Sequence, residues 1–195
     1  LIYEGCEYKN SFLSFSPTLS LFLNMELDHT DFFADKAALS ASFLSAMQRA
    51  DVIIVNADDA DLFALARLSG RPFVSYGASE SADYKYEVYS EKCRDMQFKV
   101  YKNGEILGKV CLPMLGKFNI SNATAAICAA MECGVKFEAA AASLSSFSGI
   151  GRRLELIGAH GDRRVYYDYA HHPTEIRESI RAIKAAEGRV TVVFR

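Results

Sequence analysis

A chain of 195 residues has room for one full domain, or for one domain and part of a second. Half of the residues are hydrophobic and 24% are charged, with four prolines, which suits a packed globular protein and excludes long disordered segments. The formal charge of −2 offers no global basic surface for nucleic acid, and no apolar run is long enough to span a bilayer.

Nothing at the start resembles a signal peptide. Five cysteines (Cys6, Cys93, Cys111, Cys128 and Cys133) are odd in number and lack paired C-x-x-C spacing, so reduced thiols in a cytoplasmic protein are expected. Cys128 and Cys133 sit in an alanine-rich helical run and are expected in the core. The chain starts without Met and ends on Val190-Thr191-Val192-Val193-Phe194-Arg195, a strand by its residues. Both ends read as cut, so a fragment is expected.

In chain order, Leu19 to Leu23 predicts a short strand after Pro17, and Lys36 to Arg49 a helix with Leu39, Phe43, Leu44 and Met47 at helical spacing. Asp51 to Val55 predicts a buried strand, Asp59 to Leu68 a second helix stopped at Gly70, and Phe73 to Tyr76 a third strand. This rhythm predicts an α/β fold with a mainly parallel sheet flanked by helices. Tyr84 to Ser90, Met96 to Tyr101 and Ile106 to Leu112 then alternate apolar and polar residues around Asn103-Gly104, a type I′ hairpin signal, and predict an antiparallel insert. Helices follow over Gly116 to Cys133 and Phe137 to Phe147. Gly149 to Gly151 reads as a hinge, after which a strand–turn–strand–helix–strand series begins.

Four constellations carry chemistry. Glu4 follows Leu1-Ile2-Tyr3, read as the end of a strand, and His29 follows the strand at 19–23. If those strands are parallel neighbours, a carboxylate and an imidazole converge where a divalent cation and phosphate oxygens can sit; the alternative is a solvated Glu and a helix-capping His. Asn119 and Asn122 lie one turn apart at the start of a helix, where amides can meet the edge of adenine or Asn119 can serve as an N-cap. Arg152 and Arg153 follow two glycines, and their guanidiniums suit phosphate or a plain surface. Asp168-Tyr169-Ala170-His171-His172-Pro173-Thr174-Glu175 sets an acid and two imidazoles at the end of an apolar run, a site at a strand's carboxyl end. Adjacent histidines with no third ligand make a poor zinc site.

These blocks, together with Glu4-Gly5-Cys6-Glu7-Tyr8, Ser11-Phe12-Leu13, Asn24 to His29 and Gly116 to Ala126, resemble in order the Mur ligases, ATP-dependent amide-forming enzymes of peptidoglycan synthesis, and among them the muramate–alanine branch. The resemblance implies a central ATP-binding domain over 1–149 and the beginning of a Rossmann-like C-terminal domain over 150–195. It implies that Glu4 and His29 contact magnesium, with Asp28 orienting His29 or capping the next segment and Glu7 a secondary substrate or metal contact. Asn119 and Asn122 would lie near the adenine of ATP, and Asp168 would contact its ribose. Arg153, with Arg152 second, would reach the γ-phosphate, while His171 would line the cleft between domains and Thr174 would cap the following helix.

Two positions depart from the family pattern: Thr30 stands where an apolar residue is usual, and Phe118 where a His is usual. The phosphate-cradling G-x-x-x-x-G-K-[S/T] loop is absent from this sequence; the family carries it upstream of the position matching Leu1. The implied reaction phosphorylates the lactyl carboxylate of UDP-N-acetylmuramate to an acyl phosphate, which the amine of L-alanine attacks. A murein tripeptide ligase, a folylpolyglutamate synthetase and a non-catalytic nucleotide-binding domain remain as alternatives.

Overall fold

The computed structural model describes residues 1–90 and 95–194. Six strands form one sheet in sequential order: β1 (Leu19–Phe22), β2 (Val52–Asn56), β3 (Phe73–Gly77), β4 (Tyr84–Ser90), β5 (Met96–Lys102) and β6 (Glu105–Leu112). The pairs from β1 to β4 are parallel, and β4 to β6 run antiparallel. The expected insert is therefore an extension of the parallel sheet. Asn103 (φ 51°) and Gly104 (φ 85°) both take the positive φ that a type I′ turn demands. Cys93 falls outside the described residues.

The apolar run of β2 explains the layering. Ile53 and Val55 face a cluster with Phe22, Phe43 and Leu62, whereas Ile54 faces Tyr76, Tyr84, Phe98 and Ile120. Alternate side chains point to opposite faces, so a strand covered on both sides must be apolar throughout. Helices α1 (Lys36–Met47) and α2 (Ala60–Leu68) supply the first cluster, and α3 (Lys117–Glu132) with α4 (Phe137–Ser145) the second. The Phe137 ring seats against Gly108, where a Cβ would lie 2.6 Å from it. The Tyr76 hydroxyl is buried and has no hydrogen-bond partner among the described residues. Cys128 is buried, but Cys133 caps the C-terminus of α3 at the surface, contrary to expectation.

After α4 the chain forms a two-stranded antiparallel sheet, β7 (Glu155–His160) with β8 (Arg163–Tyr167), followed by α5 (Pro173–Glu187). Two predicted strands do not form. Among the described residues, Leu1 to Tyr3 and Val190 to Phe194 pair with no neighbour, and Leu1, Ile2, Val193 and Phe194 are exposed. A β-prone run becomes a strand only where another edge offers its hydrogen bonds.

Acids at the carboxyl ends of the parallel strands hold the sheet's edge. Asp59 caps α2 by accepting from the amides of Asp61 (3.1 Å) and Leu62 (3.0 Å), and its other oxygen accepts from Met25 N at 2.8 Å. Removing it strips the helix cap and a strand-end acceptor together. Asp59→Ala is expected to lower stability by about 1–3 kcal/mol, read from the urea midpoint with circular dichroism.

Candidate functional site

The loops after β1 and β2 open onto a cleft of about 570 Å³ lined by Met25, Glu26, Leu27, Lys36, Asn56, Asp58, Asp59, Ala60, Asp61 and His172. Ligands of parallel α/β sheets bind at this edge, where loops leave the carboxyl ends of the strands. Asp58 accepts from Ala78 N (2.7 Å) and Ser79 N (2.9 Å) at the end of β3, and Asn56 donates to Leu23 O (3.0 Å) beyond β1. Lys36 pairs with Asp61 across the cleft mouth. His172 enters from the other side, with its Nδ1 3.3 Å from Glu26 Oε2.

His172 also caps α5, its Nδ1 accepting from Thr174 N at 3.4 Å, so the imidazole fills the capping place expected of Thr174. One ring nitrogen cannot accept from an amide and donate to a carboxylate at once. The cap therefore belongs to the ring with Nδ1 unprotonated and the Glu26 contact to the ring with Nδ1 protonated.

A second cleft, of about 460 Å³, lies between the start of α3 and the segment joining α4 to β7. Its lining includes Met114, Leu115, Asn119, Gly149, Ile150, Gly151, Arg153, Leu154 and Tyr166. Gly149 (φ 89°), Arg152 (φ 64°) and Leu154 (φ 48°) all occupy left-handed backbone, so this segment turns sharply through positions costly for side-chain-bearing residues. Nearby, the Gly116 backbone approaches both the Phe118 ring and Ala182 of α5: a Cβ there would lie 2.5 Å and 3.1 Å from them.

Two family models match the chain: the Mur ligase middle domain over residues 5–130, and the Mur ligase glutamate ligase domain over 152–195. The chain belongs to the Mur ligase family. It is 35% identical to the UDP-N-acetylmuramate–L-alanine ligase of Desulfosudis oleivorans over 199 residues, and 35% identical to that of Caldicellulosiruptor bescii over 201 residues. Each match covers 100% of this chain but 44% of the relative, so the chain spans less than half the length of these curated relatives. Among solved structures, the Thermotoga maritima UDP-N-acetylmuramate–alanine ligase superposes with a TM-score of 0.77 at 24% identity, over 91% of this chain and 40% of that one. A Psychrobacter arcticus murein peptide ligase gives 0.67 at 31% identity, over 90% and 36%.

The residues singled out from the Mur ligase pattern fall into separate groups. Asn119 and Arg153 line the same cleft. Asn119 is buried and donates through Nδ2 to Leu115 O (2.7 Å); Gly116 takes the N-cap position, and Asn122 is exposed on the next turn. Arg153 lies 3.5 Å from Glu175 Oε1, whereas Arg152 holds the turn through its backbone N–H, which donates to Glu155 Oε2 (2.7 Å). Asp168 accepts from Leu154 N (3.0 Å), Ala170 N (2.7 Å) and Ser179 Oγ (3.1 Å), tying the ends of β7 and β8 to α5. His171 is largely exposed, its Nδ1 3.1 Å from Tyr169 O.

His29 also has left-handed backbone (φ 52°), and the carboxylate facing it is Glu7, with Oε1 3.7 Å from Nε2. Glu4 is exposed and makes no hydrogen bond or ion pair with a described residue. Sequence reasoning passed over Glu26, Asn56 and Asp58. A partial signal was there: Asn56 ends the buried strand β2, and Asp58 and Asp59 follow it closely, a run of polar residues at a strand's carboxyl end.

Glu175 gathers the start of α5. Burial pushes its carboxyl pKa up, but the N–H groups of His171 and His172, with Arg153 and His171 nearby, outweigh that and leave it lowered overall. A depressed carboxylate adds stability above its unfolded pKa and loses it as the pH falls through the folded value. Glu175→Gln is thus expected to cost about 1 kcal/mol at pH 7. The gap between variant and wild type in urea melts should close as the pH drops below the ordinary carboxylate value of about 4.3.

Proposed function

We propose that this chain is the ATP-handling part of a Mur ligase that joins L-alanine to UDP-N-acetylmuramate through an acyl phosphate. The observation that carries the proposal is the single cleft lined by Asn119 and Arg153, residues from two separate motif blocks, across the glycine-containing junction. The matches at 35% identity over the whole chain support the choice of substrates. On this reading, residues 1–149 form the central ATP-binding domain and 150–195 begin the C-terminal domain. Small-molecule substrates, without nucleic acid or membrane, are the proposed partners, and the odd number of cysteines without paired C-x-x-C spacing favours the cytoplasm. Among the described residues no helix is long and apolar enough to cross a membrane.

The chemistry follows from named groups. A carboxylate is a poor electrophile and must be activated before an amine can displace oxygen from it. Arg153 is held by one half-exposed carboxylate at 3.5 Å, a weak pairing that it can exchange for a phosphate oxygen. Asn119 keeps its amide oxygen available while its Nδ2 is bound to Leu115, so it can accept from an adenine amino group. The Asp168 carboxylate uses three of about four lone-pair sites on protein donors, leaving room for one ribose hydroxyl. His171, exposed beside Tyr169, would face the cleft as the domains close, and Asn122 and Arg152 are the neighbouring candidates for contacts to ATP.

A divalent ion at His29 would meet at most two protein donors at once. An imidazole faces the Glu7 carboxylate, and Glu4 lies three positions earlier with its oxygens uncommitted. Among the described residues no three potential ligands converge, so water and phosphate oxygens would complete the shell. Magnesium held there would neutralise charge on the transferring phosphoryl group.

A second reading, a murein tripeptide ligase, draws on the 31% identity with the Psychrobacter arcticus enzyme. The deciding experiment uses the complete product of the gene that encodes this chain. ATP-dependent phosphate release is followed with UDP-N-acetylmuramate and either L-alanine or L-alanyl-γ-D-glutamyl-meso-diaminopimelate. Turnover with L-alanine is expected; turnover with the tripeptide alone selects the second reading, and ATP binding by calorimetry without turnover on either substrate indicates a non-catalytic nucleotide-binding domain.

In that protein, Arg153→Ala should lower kcat by about 10²-fold, as loss of a transition-state charge contact does, and Arg152→Ala much less. His29→Ala should also depress turnover severely and weaken its magnesium dependence. Normal rates at saturating magnesium would remove His29 from the metal site.

A further inference from the structure

We propose that an internal water binds between β3, β4 and α3, held by the hydroxyls of Tyr76, Tyr86 and Ser121. None of these three residues lines either cleft, and the inference does not depend on the ligase reading.

The Tyr76 hydroxyl sets the problem. Its side chain is 0% exposed, and its oxygen makes no hydrogen bond among the described residues. A hydroxyl buried without a partner weakens folding, and native interiors satisfy nearly all such groups with protein atoms or ordered water.

Polar groups surround it. Tyr76 pairs in register with Tyr84, and Tyr86 lies two positions further along β4, so the three rings stand on the face that α3 covers. The helix turns Ser121 towards them: Thr124, Ala125 and Cys128, three, four and seven positions on, are all fully buried. Burial raises the pKa of the Tyr76 and Tyr86 phenols, and the Ser121 hydroxyl opposes that rise in both. A serine that acts on two phenols stands between them. Asp58 acts on both as well, and each of its oxygens accepts one amide (Ala78 N and Ser79 N), which leaves each a lone pair.

One water satisfies these groups together. It accepts from the Tyr76 O–H and donates to Ser121 Oγ and the Tyr86 oxygen, leaving the Tyr86 O–H to donate to Asp58. Three hydrogen bonds are about what a buried water makes. The buried stripe of α3 carries only small side chains here, so no long one fills the space beside the phenols. Tyr86 and Ser121 are only partly buried, which gives the water a path to solvent. Ser121 also lies between Asn119 and Asn122, so the bridge anchors the first turns of α3 to the sheet.

The test compares this chain with its Tyr76→Phe and Ser121→Ala variants, their folds checked by matching circular dichroism spectra. Magnetic relaxation dispersion of the water oxygen counts waters that stay bound for longer than the protein takes to tumble. Each variant is expected to hold one fewer than the wild type. Urea melts give the second reading. A hydroxyl bonded to a bridging water contributes to folding, so Tyr76→Phe is expected to lower the midpoint. A raised midpoint would mean that an unpartnered hydroxyl had been removed, and overturns the proposal. A lowered midpoint with an unchanged count of bound waters would mean that Tyr76 bonds Ser121 directly, and overturns it too.

Discussion

Parallel strands that end side by side leave a row of backbone amides with no partner in the sheet, and the rest of this structure depends on how those amides are satisfied. Asp58 and Asp59 do it with carboxylates. Asp58 takes two N–H groups beyond β3, and Asp59 takes one beyond β1 and two at the start of α2. Two adjacent acids thereby bind three strand ends and a helix into one rim. Hydrogen bonds to charged acceptors are stronger than neutral ones, which suits an edge that must stay open to solvent. A rim built this way is rigid without being filled, and the larger cleft lies on it.

The same economy runs through the second half of the chain. Asp168 joins β7, β8 and α5, and Glu175 joins the two histidines before α5 to Arg153. Both groups are polar residues that a ligand could also use. In this conformation they hold protein atoms. The close approach of Gly116 to Phe118 and Ala182 supplies the apolar contact about which α5 sits.

Most of the fold was legible because the sheet obeys simple periodicity. β2 reads as a continuous apolar run since both faces are covered, and Asn103-Gly104 announces its turn because few other pairs tolerate two positive φ values. The failures share one cause. Leu1 to Tyr3 and Val190 to Phe194 have strand composition but no adjacent edge, and composition says nothing about partners. Around the candidate site residues, side-chain pairings were not readable from the sequence. Glu7, not Glu4, meets His29, and His172, not Thr174, caps α5, because both outcomes depend on loop geometry that spacing along the chain does not encode. The acids after β2 were passed over as a helix start, although that is only half of what Asp59 does.

The buried phenol of Tyr76 has a consequence at the alkaline end of the pH scale. Burial raises its pKa well above 10, and burial likewise pushes the Tyr84 phenol and the Cys128 thiol up to about 12. Once unfolded, these groups release their protons near their ordinary values, so folding is weakened as the pH climbs from about 9 towards the raised values. All three side chains belong to the core between the sheet and α3. In a chain with ten tyrosines and no tryptophan, tyrosinate absorbance makes that opening visible, and the late-ionising phenols report on the sheet's interior.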